Sequence, residues 1–406
     1  MNKDRSLNCL RILGRTVLPV SLCLLISCHS WLLAQSPAEK KSSEKIDLQD
    51  TVLPLNLKYD EPKTYPIGTK QSAIIADFKC GSDGTVFLPL LADSTALTNE
   101  ADHTGPRVDR MQRFLVTALT PSGDVVRFAH EGIPGLRNFF PELRYFVSPS
   151  RVYTLEAAEI YDPANPDQKI GLAHLIFIFD YKGAFQGFVR LEPGLNPINI
   201  AAFSSGDILV VSLDKLNQTT RLLIIDPAGR PVKELKLFDE DYALKLQLGG
   251  QAESPDSASD RKTLWNALAL AHWMPFGENL LMSPSEAHLP LIELNENGVV
   301  RSTNVVLPDN ATIGGIFESS DRIYHVLATT RQVNQTQTST GASPAGQTYF
   351  IPTEIDDINP GDGSIMKRVK FARELRPACV GDENYTFVSP RGDDGRLQTI
   401  RGTVIH

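Results

Sequence analysis

From Tyr65 onward the chain is built of short apolar runs rich in Val, Ile, Phe and Leu, punctuated by Gly, Pro, Asp and Asn. Runs of that length bounded by turn residues predict β-strands, and long stretches of helical periodicity are almost absent. The best helical segment is Lys262 to His272, where Leu264, Trp265 and Leu268 can share one face. It follows the polar stretch from Ala252 to Arg261 and reads as an insertion carrying a short helix.

One hairpin recurs. Thr120-Pro-Ser-Gly123, Asp180-Tyr-Lys-Gly183, Asp226-Pro-Ala-Gly229 and Asn295-Glu-Asn-Gly298 each follow one apolar run and precede another. In each, a side-chain oxygen can close the start of the turn and the final glycine accepts a positive φ; in two of them proline also presets the second position. A looser copy spans Asp356 to Gly363, and Asp393-Asp-Gly395 offers a sixth.

Upstream of each hairpin lies a second element, a strand interrupted by a polar turn and resumed. Ile74 to Leu88, Tyr145 to Tyr153, Ile198 to Val211, Trp273 to Met282, Ile316 to Tyr324 and Ala378 to Phe387 share this outline. Two strands followed by a hairpin of two more make a four-stranded unit, and six units over residues 65–406 average roughly 57 residues each. A single unit cannot cover both of its apolar faces, so units stack radially and close into a ring. The expected fold is therefore all-β, a six-bladed β-propeller, and a pair of β-sandwiches explains the sixfold pattern less well. Thr399 to Ile405 reads as a strand whose partner ring closure would supply.

A Gly- or Asp-bearing first turn followed by a hairpin such as Ile225-Asp-Pro-Ala-Gly229 resembles the β-propellers of the NHL and YVTN type. That broad group includes ligand- and protein-binding scaffolds and metal-dependent lactonases. The Trp-Asp dipeptide of WD40 blades and the paired glycines of kelch blades do not recur, and no lactonase motif can be placed residue by residue.

Residues 1–34 have a different texture. Lys3, Arg5, Arg11 and Arg15 stand against Asp4 and precede the apolar run Val17 to Ile26, the pattern of a cleaved export signal. A membrane span needs about 20 apolar residues, and Ser27, Cys28, His29 and Ser30 interrupt this one. Leu25-Ile-Ser-Cys28 resembles a bacterial lipobox, which would acylate Cys28; cleavage after Ala34 is the alternative. Residues 35–64 begin with a charged segment lacking aromatics and read as a flexible linker. The expected address is extracytoplasmic, periplasmic or cell-surface, with a lipid as the sole membrane contact.

Loss of residues 1–34 takes away four basic groups and one acid, moving the formal net charge from −8 to −11. Such a surface argues against nucleic acid as a partner. Cys80 and Cys379 are the cysteines left, at equivalent positions in units one and six, which are neighbours in a closed ring. They can form a disulfide if their Cα atoms come within about 7 Å, and are otherwise two buried thiols.

Local chemistry is sparse. Asp357, Asn359 and Asp362, with Asp356, could offer oxygen ligands to Ca²⁺, although Gly361 takes the place of a further ligand and no Glu follows at the right distance; a solvated turn is the simpler reading. Without that ion no cofactor is predicted. Arg391-Gly-Asp393 is an adhesion tripeptide inside a turn signal. His103, His130, His174, His272, His288 and His325 lack metal-ligand spacing, and no nucleophile elbow or phosphate loop occurs. The Thr/Gln-rich stretch 331–347 reads as a surface loop. Function narrows to an exported module or scaffold that binds a protein or small molecule, with a metal-dependent hydrolase of the lactonase type as the alternative; an enzyme is the less favoured of the two.

Overall fold

The computed structural model describes residues 52–65, 78–91, 114–130, 132–214, 219–236, 267–268, 270–284, 290–305, 307, 311–317, 322–334, 347–389 and 397–405. Cys28, Ala34, His103, His288 and the Arg391-Gly-Asp393 tripeptide lie outside them.

Two short strands, β1 (Asn56–Tyr59) and β2 (Lys63–Thr64), come first. Blade I is β3 (Lys79–Cys80), β4 (Val86–Leu91), β5 (Phe114–Leu119) and β6 (Val125–Arg127). Blade II is β7 (Leu136–Val147), β8 (Arg151–Asp162), β9 (Asn165–Asp180) and β10 (Phe185–Arg190). Blade III is β11 (Pro197–Ala202), β12 (Ile208–Asp214), β13 (Thr219–Ile225) and β14 (Pro231–Leu235), and blade IV is β15 (His272–Phe276), β16 (Asn279–Ser283), β17 (Leu291–Asn295) and β18 (Gly298–Thr303). Blade V is β19 (Ala311–Phe317), β20 (Tyr324–Asn334), β21 (Gln347–Ile358) and β22 (Ile365–Lys370). Blade VI takes β23 (Arg376–Val380), β24 (Asn384–Ser389) and β25 (Gln398–Ile405) from the C-terminal part and β1 as its fourth strand, with β2 also pairing β25.

The chain is an all-β, six-bladed propeller. First strands of successive blades lie against one another all the way round, β23 against β3 included, so they line the central channel. Apolar clusters span the seams between blades: Phe87 and Phe179 share one, Ile176 and Ile200 a second, Leu281 and Val326 a third, and Leu88 and Val388 a fourth. Fourth strands are the wet rims, as the largely exposed Pro231–Leu235 shows.

The recurrent hairpin joins strands three and four of blades I to V. Asp180 Oδ1 accepts from the amides of Lys182 and Ala184, and Asp226 Oδ1 from those of Ala228 and Arg230, all at 2.9 Å. The terminal glycine has a second reason to be glycine. At Gly183 (φ +80°) a Cβ would lie 2.8 Å from Val126 and 3.0 Å from the Arg127 carbonyl; at Gly229 (φ +83°) it would meet Val189 at 2.9 Å and the Arg190 carbonyl at 3.0 Å. These two turns therefore seat on the fourth strand of the blade before, and there the turn signature is also a packing signature.

Four expectations need correction. The expected linker of residues 35–64 is too long at its end, because β1 and β2 belong to the ring; Leu55 and Leu57 pack against the blade V–VI cluster, and Asn56 pairs with Ile405. Asp393-Asp-Gly395 cannot be a sixth outer hairpin, because it falls between β24 and β25, and strand four of blade VI comes from the other end of the chain. The helix expected through His272 stops earlier: residues 267–268 are helical and His272 opens β15. Finally, the expected loop 331–347 is strand at its margins, since Arg331 to Asn334 pair with Phe350 to Gln347.

Candidate functional site

Neighbouring strands of a blade are antiparallel, so the 1–2 and 3–4 connections share one end of the ring and the 2–3 and blade-to-blade connections share the other. At the first end no connection exceeds six residues; at the second, residues 65–78, 92–113, 236–271 and 335–346 form connections of 14, 22, 36 and 12 residues. First strands start at the long-connection end, so their early residues line that half of the channel.

There the channel holds a cavity of about 320 Å³. Five first strands contribute to its wall: Lys79 from β3, Arg144 from β7, Asn199 from β11, His272 and Trp273 from β15, and Ile313 from β19. Leu270 and Ile200 add apolar surface, and among the described residues no Asp or Glu lines it. Lys79 is buried (5% exposed), Arg144 is half-buried and has no ion-pair partner among the described residues, and the buried Trp273 indole Nε1 has no hydrogen-bond partner among them.

Local irregularity aims these side chains. The β7–β8 register shifts between Pro141 and Arg144, the β11–β12 register between Pro197 and Asn199, and the β19–β20 register between Ile313 and Gly315. A bulge at that point turns a residue away from strict alternation, and the three blades carry theirs at the level of the cavity. Asn199 is fixed by donating from Nδ2 to the Ala271 carbonyl at 2.9 Å, while its Oδ1 accepts from the Ile200 amide at 3.0 Å. Tyr145 Oη donates to the Phe87 carbonyl at 3.0 Å and ties blade II to blade I.

The oxygen ligands predicted in blade V are engaged elsewhere. Asp357 is buried, paired with His325 Nδ1 at 2.7 Å and with Lys367 at 3.5 Å. Asp356 accepts from Arg368 at 2.9 and 3.2 Å, and Glu354 is 3.1 Å from the same guanidinium. Burial pushes the Asp356 and Glu354 carboxyls upward despite that guanidinium. Asn359 Oδ1 accepts from the Gly361 amide and Asp362 Oδ1 from the Ser364 amide, which are turn closures. Among the described residues no group of three or more His, Cys, Asp or Glu is placed to hold a metal ion.

Cys80 and Cys379 form a disulfide with Cα atoms 5.0 Å apart, which joins β3 to β23 across the seam where the ring closes. His130 stacks on Phe177 of β9 with ring centroids 3.9 Å apart. Of the described histidines, His272 is the one that lines the cavity. Lys79, Arg144, Asn199 and Trp273 carried no sequence signal, because a site with one residue per blade has no local motif.

The sequence matches no known family model, and no curated protein sequence is similar to it. Solved structures do resemble it weakly. A Bacteroides caccae protein of unknown function aligns with TM-score 0.36 and 10% identity over 72% of this chain and 80% of that one. YCF48 bound to D1 peptide gives 0.36 and 8% over 88% and 98%, and Porphyromonas gingivalis dipeptidyl peptidase 4 gives 0.31 and 8% over 80% and 58%.

Proposed function

We propose that this chain is an exported propeller that works by binding, with the long-connection end of its channel as the contact face. The carrying observation is the convergence of side chains from five blades on one cavity at the end where the chain's long excursions gather. Ligand sites are concave and combine apolar surface with placed polar groups; this cavity's exposed lining is more polar than apolar, with Lys79, Arg144, Asn199 and His272 beside Ile200, Leu270 and Ile313. The lactonase-type alternative calls for oxygen ligands around a divalent ion, whereas Lys79 and Arg144 bring positive charge and His272 a ring nitrogen. Export, the extracytoplasmic address and attachment through Cys28 belong to this reading, as does kinship with NHL-type propellers.

The deciding experiment compares two exposed positions. Leu270 is 54% exposed at the cavity and Val232 is 59% exposed on the outer strand β14. Molecules co-purifying with the native protein, read by native mass spectrometry and crosslinking, should be lost with Leu270→Asp and kept with Val232→Asp. The reverse result, or loss with both, overturns the assignment of the face. Intact-mass measurement of the mature N-terminus distinguishes an acylated Cys28 from cleavage after Ala34, and metal analysis of the same sample tests the hydrolase alternative.

A further inference from the structure

The disulfide is the second closure of the ring, not the first. Tyr65, which follows β2 of blade VI, donates from its amide to the Leu397 carbonyl and from Oη to the Thr120 carbonyl of the blade I hairpin, both at 3.0 Å. With β1 and β2 paired to β25, backbone and hydrogen bonds already carry the chain across the seam from blade VI to blade I. The covalent link laid over that closure acts on something more local.

What it holds is β3. The first strands of the other five blades run from five to twelve residues, whereas β3 has two, Lys79 and Cys80, paired with Phe87 and Val86. Phe78, just before them, is half-buried. Cys379, by contrast, is buried in β23 and shares one apolar cluster with Ala378 and Val388. Opening the bridge therefore leaves β23 in place and takes from β3 an anchor that two backbone pairings do not replace. Successive residues of a strand point to opposite sides, and these two serve different spaces. Lys79 lines the channel cavity, and Cys80 lines a second one.

That second cavity, of about 560 Å³, lies among the tight turns. Pro121 and Gly381, from turns of blades I and VI, belong to its wall, as do the exposed Ser82 and Asp83. Both cysteines line it, Cys80 being half-buried. Their sulfurs lie 3.2 Å from the Gly81 carbonyl and 3.8 Å from that of Gly84, and both glycines line the cavity too.

We propose that Cys80–Cys379 is a thiol-exchange site, opened by a dithiol that enters through this cavity, and that its opening frees β3 and loosens the channel wall at Lys79. A thiolate of the dithiol attacks Cys80 Sγ and displaces Cys379 as a thiolate; the second thiol then attacks the mixed disulfide and displaces Cys80. Two electrons pass to the bridge, the dithiol leaves as a disulfide, and its two protons go to the two cysteines. The effect on the channel rests on the reading of the channel as the contact face and adds a regulation of that face.

The test uses the purified, oxidised protein. Free thiols are trapped with iodoacetamide and located at Cys80 and Cys379 by peptide mass spectrometry. Their rate of appearance should rise in proportion to dithiol concentration while the fold persists. Dithiothreitol and reduced thioredoxin are run side by side; exchange with either supports the site, and the faster at equal thiol concentration names the source as small molecule or protein. Lys79 is 5% exposed, and acetic anhydride should acetylate it about tenfold faster after reduction. Amide exchange in β8, where Val152 and Tyr153 are buried, should not change. Cys80→Ser with Cys379→Ser should show the fast Lys79 without reductant, and reoxidation of the wild type should restore the slow one. Thiols that appear at the rate of global unfolding, whatever the dithiol concentration, overturn the proposal. So does a Lys79 that stays slow after reduction, or β8 amides that exchange faster along with it. None of these readouts involves a channel ligand, so the channel reading is decided separately, by Leu270→Asp against Val232→Asp.

Discussion

The two ends of the ring obey different rules. At the short-turn end, connections are of at most six residues, and in blades II, III and V the hairpin glycine, with no room for a Cβ, seats the turn on the neighbouring blade. At the long-connection end the same strands emerge into excursions of up to 36 residues, bulges break the ladder, and Arg144 and Trp273 are left without protein partners among the described residues. One end spends its residues on holding the blades together. The other leaves polar groups for something else, and that division of labour is what makes a propeller a usable scaffold.

If the short-turn end is the structural one, damage there should be severe. Cys80→Ser with Cys379→Ser removes a link across 299 residues at that end, and chain-entropy reasoning gives a loss of up to about 6 kcal/mol. Denaturant unfolding should show it, and a reductant should reproduce it in the wild type; equal midpoints would assign closure to β1 and the seam packing alone. Gly229→Ala should cost about 2–3 kcal/mol, since the new methyl would meet Val189 and the Arg190 carbonyl at a residue with φ +83°. Gly135→Ala, at a long-end glycine with φ +79° and open space around it, separates backbone strain from the clash and should cost less.

Changes at the long end should be mild. Halving the 335–346 connection should alter stability by roughly 0.6 kcal/mol, the loop-closure term, and a loss as large as that of Gly229→Ala would erase the contrast between the ends. Smallest of all is an effect of pH. Hydrogen bonds from Lys169, Asn138 and Tyr161 hold the Glu159 carboxyl down at about 2, against an ordinary 4.5. A lowered carboxyl contributes stability above its unfolded value and loses it as pH falls through the folded one. Glu159→Gln should therefore lower the melting temperature slightly at pH 7 and make no difference below about pH 2, the exposed Lys169 keeping the effect small.

The contrast between the ends also explains what could be read from the sequence. Turns closed by Asp180, Asp226 and Asn295 are local, since the residues that bond are four or fewer apart, so blades I to V declare themselves by pattern. Closure was half visible. Thr399 to Ile405 reads as a strand seeking a partner, whereas the partner β1 hides in a segment that begins as a charged linker. Its signal was the alternation of Leu53, Leu55, Leu57 and Tyr59, the period of a half-buried strand. The cavity was invisible. Lys79, Arg144, Asn199 and His272 lie 55 to 73 residues apart along the chain, and nothing near any of them marks it as a wall of one chamber. The Asp357 cluster shows the converse: acidic residues close in sequence alternate across a strand, so Asp356 and Asp357 face opposite sides and meet different cations.

The closing blade also gives the ring a polarity with respect to its own N-terminal extension. Asn56 pairs with Ile405 and Tyr59 with Gly402, so β1 enters at the end of the short turns and runs toward the cavity end. The strand that completes the last blade therefore runs from the end of the tight turns to the end of the cavity, and the ring is closed by hydrogen bonds between two stretches of chain more than 300 residues apart.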